Sequence, residues 1–160
     1  RNRELSQAAG SPPKPVFVKI APDMDFAQVE QIVDVAQGAR LTGIVATNAT
    51  AFMREKLKSA HAHEAGGLSG RPITAKVTSF VSHIYRITGG ELPIIGVGGI
   101  FNAQDAYDKI KAGARAVQIY TGWIYEGPGA VKRINQGLRR LLERDGFKTV
   151  AEAVGSESAH

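Results

Sequence analysis

Four times along the chain a short β-branched run gives way to an amphipathic helical stretch, and this alternation restricts the fold more than any other feature. The first unit is PVFVKI, residues 15–20, followed by a helix for which Asp25 serves as N-cap and Gln28, three residues on, completes a capping box. Phe26, Val29, Ile32, Val33 and Ala36 then recur on one helical face. In the second unit GIVATN, residues 43–48, precedes a helix that opens at Pro72. Its stripe is Ile73, Val77, Phe80, Val81, Ile84 and Ile87, and Gly89 and Gly90 end it. PIIGVGG, residues 93–99, begins the third unit, whose helix is capped by Asn102 and Asp105 and turns Ala103, Ala106, Tyr107 and Ile110 inward. AVQIYT, residues 116–121, begins the fourth, with Val131, Ile134, Leu138, Leu141 and Leu142 at helical spacing up to Gly146.

Strands that are apolar on both faces and alternate with amphipathic helices require a parallel sheet covered by helices, with right-handed crossovers. Two closures satisfy this α/β pattern: a free-standing doubly wound sheet of four strands, or half of an eight-stranded (β/α)8 TIM barrel. A whole barrel takes about 250 residues, and the chain has 160. The strand ends favour the half barrel, because they carry polar residues or glycines: Lys19, Thr47 and Asn48, Gly98 and Gly99, Tyr120 and Thr121. If the glycine turn at 96–99 is the phosphate site that barrels place after their late strands, these are the last four of eight units. Residues 1–14 then form a linker or the end of a preceding element, and residues 15–160 the C-terminal half of the barrel. Such a half exposes two strand edges and an apolar interior, so a complementary N-terminal half is expected as partner.

Other classes are disfavoured. Without cysteine there is no disulfide, thiolate nucleophile or sulfur-bound zinc. The net charge of +5 is scattered or helical and lacks the interleaved aromatics of a base-stacking surface, so no nucleic-acid partner is expected. His61 and His63 have no carboxylate at a fitting strand end, so no metal is expected. No stretch reaches the roughly 18 apolar residues of a membrane span.

The glycine turn lets backbone N–H groups approach an anion, and the helix that begins near Asn102 adds its positive end. Glycine needed only for tight strand-to-helix packing is the alternative. A dinucleotide fingerprint would need glycine where Phe101 stands and an acidic residue near Tyr120 and Thr121, so a Rossmann site is disfavoured. Tyr120 and Thr121 instead offer a backbone N–H and hydroxyls to the same anion. A second glycine-rich approach, GGLSGRP, brings donors around Ser69 and Gly70. Lys19 is either a snorkelling strand-end lysine or a cation beside a cofactor that gains negative charge on reduction, as a flavin does. Asn48 is either a capping residue or a donor and acceptor for a planar ring with carbonyl and N–H groups. The aperiodic stretch between Asn48 and Pro72 has the length of either a functional lid or a disordered loop.

Taken in order, VKIAPD, TNAT, GGLSGRPI, PIIGVGGI and AGARAVQIYT resemble the carboxyl-terminal half of dihydroorotate dehydrogenase, from about Val16 to the closing AEAVGSESAH. The ending GFKTVAEAVG is most similar to the membrane-associated, quinone-reducing class of that family. The resemblance implies an FMN-binding barrel that oxidises dihydroorotate to orotate in pyrimidine biosynthesis, with quinone as electron acceptor. It implies flavin contacts at Lys19 and Thr47, and at Gly70, Gly99, Tyr120 and Thr121, the last three nearest the phosphate. Asn48 would bind the substrate ring. It also implies peripheral membrane association, at the cytoplasmic face of a bacterial membrane or at the mitochondrial inner membrane. The catalytic base, a serine in this class, is expected in the N-terminal half, so neither Ser69 nor Ser79 is assigned to it. The family usually has threonine where this chain has Ala49, which either weakens orotate binding or leaves Thr50 to substitute. Two other readings compete: another FMN or phosphate-binding barrel, such as a hydroxy-acid oxidase, and a non-catalytic phosphate-binding module. The first would need a histidine base and a carboxylate-binding arginine at strand ends, and neither is in place.

Overall fold

The computed structural model describes residues 2–55 and 57–158. Its elements are α1 (Asn2–Ala8), β1 (Phe17–Ile20), α2 (Phe26–Gly38), β2 (Gly43–Ala46), α3 (Thr74–Ile87), β3 (Ile94–Val97), α4 (Ala103–Lys111), β4 (Ala116–Gln118), α5 (Thr121–Glu126), α6 (Ala130–Arg144) and α7 (Val150–Ala153). A single 3-10 turn, Arg71–Ile73, leads into α3. Both expected capping boxes form: Asp25 accepts from Gln28 N–H at 2.8 Å and Asn102 from Asp105 N–H at 2.9 Å, with each reciprocal bond present.

The four strands pair in parallel in the order β1-β2-β3-β4. A doubly wound sheet reverses its strand order at a switch point. This one runs in sequence order throughout, as barrel strands do.

Period-two alternation divides the two faces. Ile20, Ile44, Ala46 and Ile94 join Val29, Val33, Phe80, Val81 and Ile84 of α2 and α3 in the main buried core. A second cluster joins Ile100, Ala106, Tyr107 and Ile110 to Ile134, Leu138 and Leu142 of α6. Each such aliphatic side chain contributes about 1.5–3 kcal/mol on burial. On the opposite face Lys19, Val45, Ile95 and Ala116 stand in register across the sheet. That inner face is left open at both flanks, where Phe17, Lys19, Ala116 and Gln118 are exposed.

Two expectations shift. The fourth strand ends at Gln118, and Thr121 starts a six-residue helix, because β4 has only β3 to pair with and β3 stops at Val97. Ile87 and Val131 lie at the margins of their helical stripes and are exposed.

At the pole away from the strand ends, the Tyr85 ring is enclosed by Gly90, Gly113 and Gly155. A Cβ on Gly155 would come 2.0 Å from the ring. The tail is fastened there by Gly155 N–H to Ile110 carbonyl (3.1 Å) and by Ser158 Oγ to Ala112 carbonyl (3.1 Å).

Candidate functional site

The carboxyl ends of all four strands open into one cavity of roughly 240 Å3. Lys19, Thr47, Asn48, Gly70, Gly99, Tyr120 and Thr121 all line it, together with Ala49, Gly67, Ser69 and Gln118. The fold therefore gathers every candidate residue named from the sequence, although they span more than half of the chain.

Each is placed by its strand. Lys19 sits on the inner face of β1 opposite Val45, and among the described residues no carboxylate pairs with it. Thr47 is buried, with its N–H donated to Val97 carbonyl at 3.0 Å and its hydroxyl to Asn48 carbonyl at 3.1 Å. Asn48 continues the pairing with β1 by donating its N–H to Ile20 carbonyl at 2.8 Å. Its Oδ1 accepts from Ala49 N–H at 3.0 Å, and the residue lines the cavity with its Nδ2 donors unpartnered among the described residues.

At the other end Gly99 has φ +71°, a region that favours glycine, and a Cβ there would lie 1.9 Å from Thr74 Oγ1. The turn thus packs directly on the start of α3, and Thr74 Oγ1 donates to Gly99 carbonyl at 3.1 Å. The close-packing reading of this glycine therefore holds, and the same turn lines the cavity. Ser69 Oγ and Thr121 Oγ1 lie 2.7 Å apart and join the two glycine-rich loops.

The helix end differs from the expectation. Asp105 accepts the N–H groups of Phe101 (2.9 Å) and Asn102 (3.2 Å), the two residues before α4, so these donors are taken within its capping box. The first turn of α5, by contrast, has no side-chain cap, and its Thr121 and Gly122 line the cavity. A six-residue helix is too short to declare itself by periodicity, so the sequence offered no signal for it. Gln118 and the Ser69–Thr121 pair were equally unmarked.

The lid-length stretch is closed at its neck by an antiparallel bridge between Thr50 and Leu68. The Thr50 hydroxyl is buried and donates to Asp23 Oδ1, so it does not substitute for the hydroxyl missing at Ala49. His61 Nδ1 lies 2.6 Å from Glu64 Oε1 in exposed loop, and among the described residues no three His, Asp or Glu side chains gather to hold a metal.

This donor set suits a phosphorylated, redox-active planar group. An ammonium with no carboxylate partner among the described residues and the Asn48 carboxamide stand at one end, and hydroxyls with glycine backbone stand at the other. Among the described residues no helix is long and apolar enough to cross a membrane.

Residues 2–142 match the family model described as dihydroorotate dehydrogenase. A dihydroorotate dehydrogenase (quinone) of Anaeromyxobacter sp. (strain Fw109-5) is 52% identical over 147 residues, covering 92% of this chain and 40% of the relative. That of Nostoc punctiforme is 47% identical over 161 residues, covering 96% and 43%. Among solved structures, the Eimeria tenella enzyme in complex with ferulenol superposes with a TM-score of 0.89 at 41% identity, covering 94% of this chain and 40% of that one. The chain spans about 40% of the length of the relatives it matches.

Proposed function

The chain belongs to the dihydroorotate dehydrogenase family, and from that we propose that its cavity holds FMN for the oxidation of dihydroorotate to orotate, with quinone as the final acceptor. The observation that carries this reading is the convergence of Lys19, Thr47, Asn48, Gly70, Gly99, Tyr120 and Thr121 on one cavity at the strand ends. FMN, when bound, supplies the acceptor for the hydride that leaves the substrate.

The residues of the chain divide the remaining work. Lys19 places a positive charge where reduction adds negative charge, which favours the reduced cofactor. Thr47 contacts the ring system. Gly70, Gly99, Tyr120 and Thr121 hold the cofactor, and the last three bind its phosphate through backbone N–H groups and hydroxyls. The Nδ2 donors of Asn48 orient the substrate ring. The base that takes the substrate proton comes from a complementary N-terminal half, with residues 15–160 as the C-terminal half and residues 1–14 as the end of the preceding element.

The bare inner face supports that partner. Phe17 is 37% exposed and Ile124, on α5 beside the other flank, is 64% exposed. Apolar surface flanked by open strand edges is what a closing half would cover. The assembled enzyme associates peripherally with a membrane, where its quinone resides.

The test is native mass spectrometry of the purified material followed by denaturation, with a visible absorption spectrum of the same sample. A companion segment with one released FMN, and a flavin spectrum perturbed by orotate, is the expected result. A lone colourless chain that neither binds FMN nor gains it with a complementary half would overturn the proposal.

A further inference from the structure

We propose that Asp23 and Arg54, neither of which lines the cavity, are positioning residues for its substrate side, a role that rests on the flavin reading above. Asp23 lies just beyond β1, the strand that carries Lys19. One of its carboxylate oxygens accepts the Thr50 hydroxyl and the other the Ala51 N–H at 2.9 Å. A single carboxylate therefore fastens the root of the loop to the strand of the cation. Asn48 is tied to that strand as well, through its N–H on Ile20 carbonyl. Lys19 and Asn48 are thus held in one frame, the cation for the cofactor beside the carboxamide for the substrate.

Arg54 does the corresponding work inside the loop. One guanidinium nitrogen donates to the carbonyls of Ala62 (2.9 Å) and Glu64 (3.0 Å), and the other to Gly66 carbonyl. Three neutral carbonyls of the returning limb are gathered on one planar fork, and among the described residues no carboxylate competes for it. The Thr50–Leu68 bridge, with N–O distances of 3.0 and 2.8 Å, closes the neck behind them.

Between Gly66 and Leu68 sits Gly67, where a Cβ would meet the Ala49 methyl at 2.7 Å. The returning limb thus presses on the residue next to Asn48. Arg54 sets that limb, the limb sets Ala49, and Ala49 N–H holds the Asn48 carboxamide by its oxygen. A displacement of the limb changes where the Nδ2 donors point. A hydrogen bond whose donor is turned away from its acceptor weakens steeply, so the cost falls on substrate binding. Lysine cannot reproduce the fork, since its ammonium is a point donor on a flexible stem.

The experiment compares Arg54→Lys, Asp23→Ala and Thr50→Val with wild type in the FMN-loaded, complete enzyme. Thr50→Val is the gentle variant, because at nearly constant volume it removes only the hydroxyl's bonds, the one given to Asp23 and the one accepted from Phe52 N–H. Orotate affinity is read from perturbation of the flavin spectrum, and KM and kcat from dihydroorotate turnover. Amide exchange at Ala51 and Leu68 reports the neck. We expect all three to raise KM and the orotate Kd by about tenfold, with FMN content and kcat within about twofold and faster exchange at the neck. Folded variants with loosened necks but wild-type orotate affinity would overturn the proposal alone. Equal losses in FMN content and orotate binding would also overturn it, as general disruption. A wild-type protein that takes up neither FMN nor orotate overturns the functional reading, and this one with it.

Discussion

Ser69 Oγ and Thr121 Oγ1 meet at 2.7 Å across 52 positions of sequence, so that one hydroxyl pair joins the loop leading into α3 to the start of α5. Thr121→Val keeps the volume and removes the hydroxyl. A lost hydrogen bond of this kind costs about 1 kcal/mol, so FMN should bind roughly five- to tenfold more weakly. Titration followed by quenching of flavin fluorescence measures this, and unchanged affinity would show that the pair does not shape the cofactor site.

Lys19→Ala should leave FMN content near wild type while slowing reduction of the bound flavin by roughly 10²-fold, the scale seen when one preorganised electrostatic partner is removed. Stopped-flow bleaching of the flavin reports it directly. Lys19→Arg should recover part of the rate, since it keeps the charge. Turnover unaffected by Lys19→Ala would remove this cation from the mechanism.

Lys109 is fully buried, with Nζ 3.2 Å from Thr78 Oγ1, and burial pushes its pKa down from 10.5 to about 8. Between those two values the unfolded chain binds more protons than the folded one, so this group makes stability rise with pH across that window. The effect is on the order of 3 kcal/mol at most. Tyr107 acts in the opposite sense. Burial, with the hydrogen bond from its hydroxyl to Asp145 at 2.9 Å, raises its pKa from 10.0 to about 12, so stability falls across that range. Denaturant melts should show the two contributions crossing near pH 10. Lys109→Met should abolish the rise and stabilise the protein at neutral pH. A rise that survives the substitution would assign it elsewhere.

Gly155→Ala is expected to lower stability by about 2 kcal/mol or more, the scale of overpacking, because the new Cβ would enter the Tyr85 ring at a backbone φ of +75°. Thermal melts check this. Tyr85→Phe should cost far less, as the Tyr85 hydroxyl reaches Val154 carbonyl only at 3.5 Å. A melt in which the two variants lose stability equally would contradict the cage.

The architecture was legible because its signals are local. Asp25 with Gln28 and Asn102 with Asp105 lie three residues apart and declare two helix starts, and the stripe from Val77 to Ile84 declares a third helix. The ends of the second and third strands were legible for the same reason, since Asn48 and Gly99 each close a short apolar run, whereas the fourth strand stops at Gln118, short of Thr121. What the residues alone did not disclose depends on contacts between distant positions. Thr50 finds Asp23 across 27 residues. Arg54 reads as an ordinary loop cation, yet it spends its donors on backbone carbonyls. Lys109 reads as a water-facing cation in AQDAYDKIK, yet its stem packs beside Gly96, which has no side chain, on the neighbouring strand.

The ring of Tyr85 among Gly90, Gly113 and Gly155 lies at the opposite pole from the strand-end cavity. A substitution at one of those glycines would nonetheless score as loss of activity in a crude extract, because fewer molecules would be folded. Each surviving molecule would turn over normally. Under the proposed function, variants at this pole and variants at Lys19 would therefore look alike in a crude activity screen, and only activity normalised to bound flavin would tell them apart.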